Sequence, residues 1–125
     1  MDAKFLVPYE TAQLLKEKGY EAETDYYYSK ETKSITPLHD LKNEWYPDSL
    51  QIIIDTRYIP APTYHEVLDW LFDMGVSIWA RSNYGKIDWF PVVSVGDNEY
   101  FPSGWYPTRE EALNKAILEA IRLYI

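Results

Sequence analysis

Apolar and polar positions follow a helical period in three segments of the chain. Apolar or small side chains recur three to four residues apart over residues 9–18, 64–74 and 109–124, which is the spacing of one face of an α-helix. Gly19 and Gly75 follow the first two segments, at the position where helices commonly end in a left-handed residue. The pattern therefore predicts three α-helices.

The second and third helices are expected to begin with a capping box. Thr63 precedes Glu66 by three residues, and Thr108 precedes Glu111 by three. In this motif the threonine hydroxyl accepts a hydrogen bond from a first-turn N–H, and the glutamate reaches back to the N–H of the cap. The apolar arc of the second helix is roughly 200° wide, beyond that of an ordinary surface helix. We expect it to be the most buried of the three.

The segment between the first two helices is less regular. Residues 25–36 contain two short runs typical of strands around a polar turn, which predicts a hairpin. Residues 37–49 are rich in proline and polar side chains and are interpreted as a surface loop. The β-branched run within residues 50–54 predicts a buried strand. Pro60 and Pro62 are expected to stop regular structure before Thr63.

The segment between the second and third helices predicts a three-stranded meander. Its strands are expected at residues 76–81, 87–95 and 99–101, with a first turn at residues 82–86. Pro91 falls inside the second strand. Because proline has no N–H to donate to the ladder, Pro91 indicates an edge position or a bulge.

These elements predict an α+β fold and, from the chain length, a single domain over residues 1–125. The expected antiparallel sheet consists of the meander plus an N-terminal hairpin or extra strand. Three helices accompany it, with the last two on one face. The C-terminal half then has the order α-β-β-β-α.

Composition and net charge argue against several classes of function. The chain has no cysteine, which excludes disulfides and thiolate chemistry. Its longest aliphatic run, residues 52–54, is far too short for a membrane span, and its N-terminus lacks the apolar core of a signal peptide. A cytoplasmic protein without membrane contact is expected. The net charge of −8 also argues against nucleic-acid binding, which depends on cations that neutralise phosphates.

Candidate catalytic and metal-binding residues are few. His65, Asp69 and Asp73 lie at i, i+4 and i+8 of the second helix, a spacing that could present three ligands to a divalent metal. They also form the polar side of that helix, and a solvated side needs no ligand. His39 and Asp40 are the other neighbouring imidazole and acid, within the expected loop. The sequence thus predicts no enzyme, no metal and no cofactor.

Aromatic residues supply the main functional signal. They make up 17% of the chain, and many fall in or beside the meander. Because side chains alternate between the faces of a strand, some must point away from the helices. The predicted interaction surface comprises Trp79, Trp89, Phe90, Tyr100 and Trp105. We expect a protein partner or a symmetric homodimer to cover it, unless residues 20–60 fold back over it.

Two resemblances refine this prediction. The helix–three strands–helix order of residues 63–125 resembles the topology of double-stranded-RNA-binding domains. That family opens its last helix with a lysine cluster, whereas Arg109, Glu110 and Glu111 stand here. The resemblance therefore implies a similar shape without the RNA-binding activity.

The second resemblance covers nearly the whole chain. Short proteins encoded by phages and prophages of gut bacteria are similar at residues 7–12 (VPYETA), 15–19 (LKEKG), 61–64 (APTY), 69–71 (DWL) and 106–113 (YPTREEAL). These motifs consist mostly of caps and core positions. The resemblance implies a phage or prophage origin and no catalytic residue.

The sequence therefore predicts a non-enzymatic accessory protein that acts through protein contacts or self-association. One alternative is an acidic mimic of nucleic acid that inhibits a host protein. Another is a small ligand-binding or enzymatic domain, which would require a pocket with perturbed ionisable groups.

Overall fold

Each half of the chain builds its own three-stranded antiparallel sheet in the computed structural model. The structure describes residues 3–21, 24–82 and 88–125. It divides into an N-terminal unit, residues 6–63, and a C-terminal unit that contains residues 64–125 and the short segment at residues 3–5. The α+β class is confirmed. The expected single sheet with three helices is wrong, because the described residues form two sheets and five α-helices.

The described residues of the N-terminal unit form three helices and three strands. Its sheet has the order β2-β1-β3. In chain order the elements are α1 (Tyr9–Glu17), β1 (Tyr26–Ser29), β2 (Ile35–Pro37), α2 (Leu38–Glu44), α3 (Pro47–Arg57) and β3 (Tyr58–Pro60). The predicted hairpin is confirmed, with Tyr27 opposite Thr36.

Helix α1 begins and ends as predicted, apart from one residue at its C-terminus. Gly19 has a φ of +96°, a conformation that glycine adopts without a steric penalty. The N–H of Tyr20 donates to the carbonyl of Leu15 at 2.9 Å, and the N–H of Gly19 donates to the carbonyl of Lys16 at 3.1 Å. These two bonds form a Schellman motif, which satisfies the carbonyls of the last turn.

The loop predicted at residues 37–49 and the strand predicted at residues 50–54 are both wrong. Helices α2 and α3 occupy this segment, and a proline stands at the start of both. Pro37 directly precedes α2, and Pro47 is the first residue of α3. Proline suits the first turn of a helix because the N–H that it lacks has no partner there. In α3, Ile54 is buried whereas Ile52 is 64% exposed, so the isoleucines point in different directions.

Proline also lies within the strands of this unit, which corrects the expectation that Pro60 stops regular structure. Pro60 pairs with Tyr27 at the end of β3, an outer strand. Along the open edge of β3 the N–H of Tyr58 donates to Ile54, and its carbonyl accepts from Lys16 Nζ at 3.3 Å. The missing N–H of Pro60 and these two bonds leave little for another strand to pair with.

The C-terminal unit contains the predicted meander between two helices. Its elements are α4 (Tyr64–Asp73), β4 (Val76–Ser82), β5 (Trp89–Val95), β6 (Asn98–Tyr100) and α5 (Arg109–Tyr124). The α-β-β-β-α order is confirmed, and the N–H of Glu111 donates to Thr108 Oγ1 at 3.1 Å, as the capping box requires. The predicted turn after Ser82 and the strand start at Ile87 lie outside the described residues.

The expectation that the second predicted helix is the most buried is wrong. Helix α4 buries Tyr64, Val67 and Leu71, but Phe72 is 68% exposed. Helix α5 packs against β4 and β5 and buries more side chains. These are Ala112, Leu113, Ala116, Ile117, Ala120 and Ile121. The small alanine side chains let α5 approach the sheet closely and bury its apolar side. The apolar arc of α4 is wider, but not all of its side chains are buried.

Pro91 does not mark an edge strand or a bulge. Strand β5 is central and pairs with β4 without a break, with Pro91 opposite Ala80. The backbone of Trp89 exchanges hydrogen bonds with Tyr106 on the side away from β4, and the nitrogen of Pro91 points to that same side because alternate residues do. The β6 ladder begins only at Val93. Proline therefore occupies a position where β5 has no ladder bond to lose.

One further property concerns membranes. Throughout the described parts of the chain, every helix is too short or too polar to cross a membrane.

Candidate functional site

The two faces of the meander differ in what covers them. Ile78 lies opposite Val93, which lies opposite Tyr100, so these side chains share one face. Ile78 and Val93 are buried. Tyr100 contributes to raising the pKa of Arg122 on α5, although Glu119 is the main cause through its hydrogen bond and its charge. These observations indicate that α5 covers this face.

The opposite face carries a cluster of aromatic rings. Trp79 and Phe90 belong to it, because Trp79 pairs with Val92 and Phe90 with Arg81. The ring of Phe90 lies 5.0 Å from that of Trp105, edge to face, and 6.2 Å from that of Phe101. Phe101 is 50% exposed and Trp105 is 55% exposed. We call Trp79, Phe90, Phe101 and Trp105 the aromatic face.

Two opposite charges adjoin the aromatic face. The guanidinium of Arg81 lies 5.5 Å from the ring of Trp79. Its Nη2 is 3.5 Å from Glu99 Oε1, and both side chains are partly exposed. Aromatic residues and arginine are both enriched in protein interfaces relative to the rest of the surface.

The structure brings together only part of the predicted interaction surface. Trp79, Phe90 and Trp105 share the aromatic face, whereas Trp89 and Tyr100 belong by register to the face covered by α5. Phe101 was missed. Its parity with Glu99 in the third strand is the signal that could have identified it.

The weak metal candidates do not gather into a site within the described residues. His65 Nε2 and Asp69 Oδ2 are 3.5 Å apart, and both side chains are largely exposed. Asp73 is exposed on the same helix. Across the described ranges, no three histidine, aspartate or glutamate side chains are grouped so that they could hold a metal ion.

A groove of about 540 Å³ lies in the N-terminal unit between α1, α3 and the sheet. We call it the α1–α3 groove. Tyr27, Tyr58 and Ile54 supply its aromatic and apolar lining, and Lys16 and Asp55 bring opposite charges. These residues come from four separate elements, so no local pattern in the sequence indicates the groove.

Lys16 is the lysine that lines the α1–α3 groove. Burial lowers its pKa, the nearby charge of Lys30 lowers it further, and Asp55 acts in the opposite direction. Lys16 also lines a second groove of about 530 Å³ with Tyr9, Gln13 and Lys30. The two grooves lie on opposite sides of β3, since Tyr58 lines the first and Ile59 the second.

Comparisons of the chain with protein-family models, with curated proteins and with solved structures found no match.

Proposed function

We propose that this chain is a non-enzymatic interaction protein, and that a second copy binds at its aromatic face to form a symmetric dimer. The observation that carries the proposal is the half-exposure of Phe101 and Trp105, which pack on Phe90 on the side of the meander away from α5. A phage or prophage origin is part of the proposal and rests on the sequence resemblance alone.

In this proposal, burial of large aromatic side chains between the two copies supplies the free energy of dimer formation. Removing apolar surface from water contributes roughly 25 cal/mol per Å², and an aromatic side chain buries about 150–250 Å² when fully covered. Two copies of Phe101 and Trp105 therefore offer a substantial apolar area. Tryptophan, tyrosine and arginine are also enriched among the residues that dominate binding energies, and this surface includes Trp105 and Arg81.

The charges beside the aromatic face suit a symmetric contact. In a two-fold dimer the same patch meets itself, so that a residue of one copy contacts a different residue of the other. Arg81 and Glu99 already lie 3.5 Å apart within one chain and remain partly exposed. Arg81 of one copy can therefore approach Glu99 of the other without bringing like charges together.

The experiment compares surface variants by sedimentation equilibrium. Phe101→Ser and Trp105→Ser should each shift the protein toward the monomer. Phe72→Ser is the matched control, because Phe72 is a similarly exposed aromatic residue on α4, outside the aromatic face. Equal effects of all three substitutions would show that general hydrophobicity drives association, and would overturn the assignment of this face.

A further inference from the structure

The α1–α3 groove holds two opposite charges that do not pair with each other. Lys16 Nζ donates to the carbonyl of Tyr58 at 3.3 Å. Asp55 Oδ1 accepts from Gln51 Nε2 at 2.9 Å, one turn earlier on α3. Both charged residues line the groove, and among the described residues no ion pair joins them. Each charge thus has a neutral partner and keeps capacity for another.

The rest of the groove is suited to a small organic molecule. Its volume of about 540 Å³ lies within the usual range of small-molecule sites. Tyr27 and Tyr58 are half-buried beside it, and Ile54 is buried. Tyr27 and Tyr58 lie on neighbouring strands with the same orientation, because Tyr27 pairs with Pro60 and β3 alternates from there to Tyr58. Their rings offer an apolar surface within the groove that Lys16 and Asp55 also line.

We propose that the α1–α3 groove binds a small zwitterion of the amino-acid type. The ligand carboxylate binds Lys16, the ligand ammonium binds Asp55, and an apolar side chain packs against Tyr27, Tyr58 and Ile54. This site is separate from the aromatic face, so it adds a ligand to the proposed function and does not depend on it.

The arrangement of charges selects against ligands with a single charge. A simple anion would gain Lys16 but would lie near the carboxylates of Asp55 and Glu21, which also lines the groove. A simple cation would gain Asp55 but would lie near Lys16. Only a molecule with both charges satisfies Lys16 and Asp55 at once, and unpaired like charges at short range lower affinity.

Three matched probes test the proposal on the unmodified protein. L-Phenylalanine carries both charges, 3-phenylpropionate lacks the ammonium, and phenethylamine lacks the carboxylate. We expect chemical shifts of the amides around Lys16, Asp55 and Tyr58 to move with L-phenylalanine. Each truncated probe should bind about tenfold more weakly, because a hydrogen bond to a charged group is lost. Equal binding of L-phenylalanine and 3-phenylpropionate would overturn the proposal, as would no response at about 10 mM, an affinity below the useful range.

Substitutions then assign each charge to its partner. Asp55→Asn keeps an acceptor for Gln51 but removes the charge, so L-phenylalanine should bind this variant no better than 3-phenylpropionate does. Lys16→Met should remove the response to both. Asp40→Asn and Lys18→Met are the controls, because both residues are exposed and outside the groove lining. If the controls weaken binding as much as the groove variants, the binding site is elsewhere and the proposal is wrong.

Discussion

The two units use aromatic side chains in different ways. In the N-terminal unit, Tyr28 is buried and its hydroxyl donates to the carbonyl of Val7 at 2.6 Å, while its ring meets that of Tyr9 edge to face. In the C-terminal unit, Phe101 and Trp105 pack on Phe90 and yet stay half exposed. Tyr28 of the first unit thus has a structural role, whereas Phe101 and Trp105 of the second unit remain half exposed to solvent.

The outer strands of the N-terminal unit are also poorly suited to pairing with another copy of the chain. Pro60 lies on the outer strand β3, where Lys16 also occupies the carbonyl of Tyr58. Pro37 ends the other outer strand, β2. Proline on an edge strand is a common means of preventing two sheets from pairing. The self-association that we propose is therefore assigned to the C-terminal unit.

The largest expected effect tests whether the C-terminal unit has a core separate from its exposed rings. Leu71 is fully buried on α4, whereas its neighbour Phe72 is exposed. Leu71→Ala should lower the free energy of unfolding by about 2–5 kcal/mol, as other large-to-small core substitutions do. Phe72→Ala should change it by about 0.5 kcal/mol or less. Chemical denaturation measures both, and similar losses would mean that the core is misplaced.

The next effect tests the structural role of tyrosine in the N-terminal unit. Tyr28→Phe removes the donor to the buried carbonyl of Val7 and should lower the free energy of unfolding by about 1–3 kcal/mol. Tyr46→Phe is the control, because Tyr46 is 83% exposed. If Tyr28→Phe lowers the free energy of unfolding no more than Tyr46→Phe does, the hydroxyl of Tyr28 has no structural role.

A smaller effect on stability is expected at the aromatic face. Trp105→Ser should change the free energy of unfolding of the monomer by about 0.5–1 kcal/mol, since half of the side chain is already in water. Denaturation at a protein concentration low enough to hold the monomer gives this value. A loss of several kcal/mol would identify Trp105 as a core residue, and its exposure would then say nothing about partners.

The smallest effect concerns pH. The hydrogen bond from Arg122, followed by that from Lys115, lowers the pKa of Glu119 on α5. Because the pKa in the folded state is below that in the unfolded state, this contribution to stability is present above the unfolded pKa. It is lost as pH falls through the folded pKa. Glu119→Gln should therefore reduce the difference in melting temperature between neutral and acidic pH. An unchanged difference would show that the carboxylate is not stabilised in the folded state.

Local signals in the sequence predict much of the fold. The start of one expected helix is marked by Thr108 with Glu111. The ends of the other two are marked by Gly19 and Gly75. The helices at residues 38–44 and 47–57 are not predicted, because Pro37 and Pro47 indicate a surface loop in the sequence and the β-branched run within residues 50–54 indicates a strand. The decision between a helix and a strand for such a run depends on tertiary packing, which local propensity does not contain.

The candidate sites were less predictable than the helices. Parity within a strand places Trp79 and Phe90 on a common face only when the register between strands is known. The α1–α3 groove is harder still, since Lys16, Tyr27, Asp55 and Tyr58 are distant in sequence. No local spacing relates them, and only the folded unit brings them together.

Sedimentation equilibrium of the unmodified protein at tens of micromolar shows whether a second copy binds at the aromatic face. We expect a mass approaching twice the 14.8 kDa of the monomer as concentration rises, and a return toward the monomer mass for Trp105→Ser. A mass of 14.8 kDa at every concentration would contradict self-association through the aromatic face.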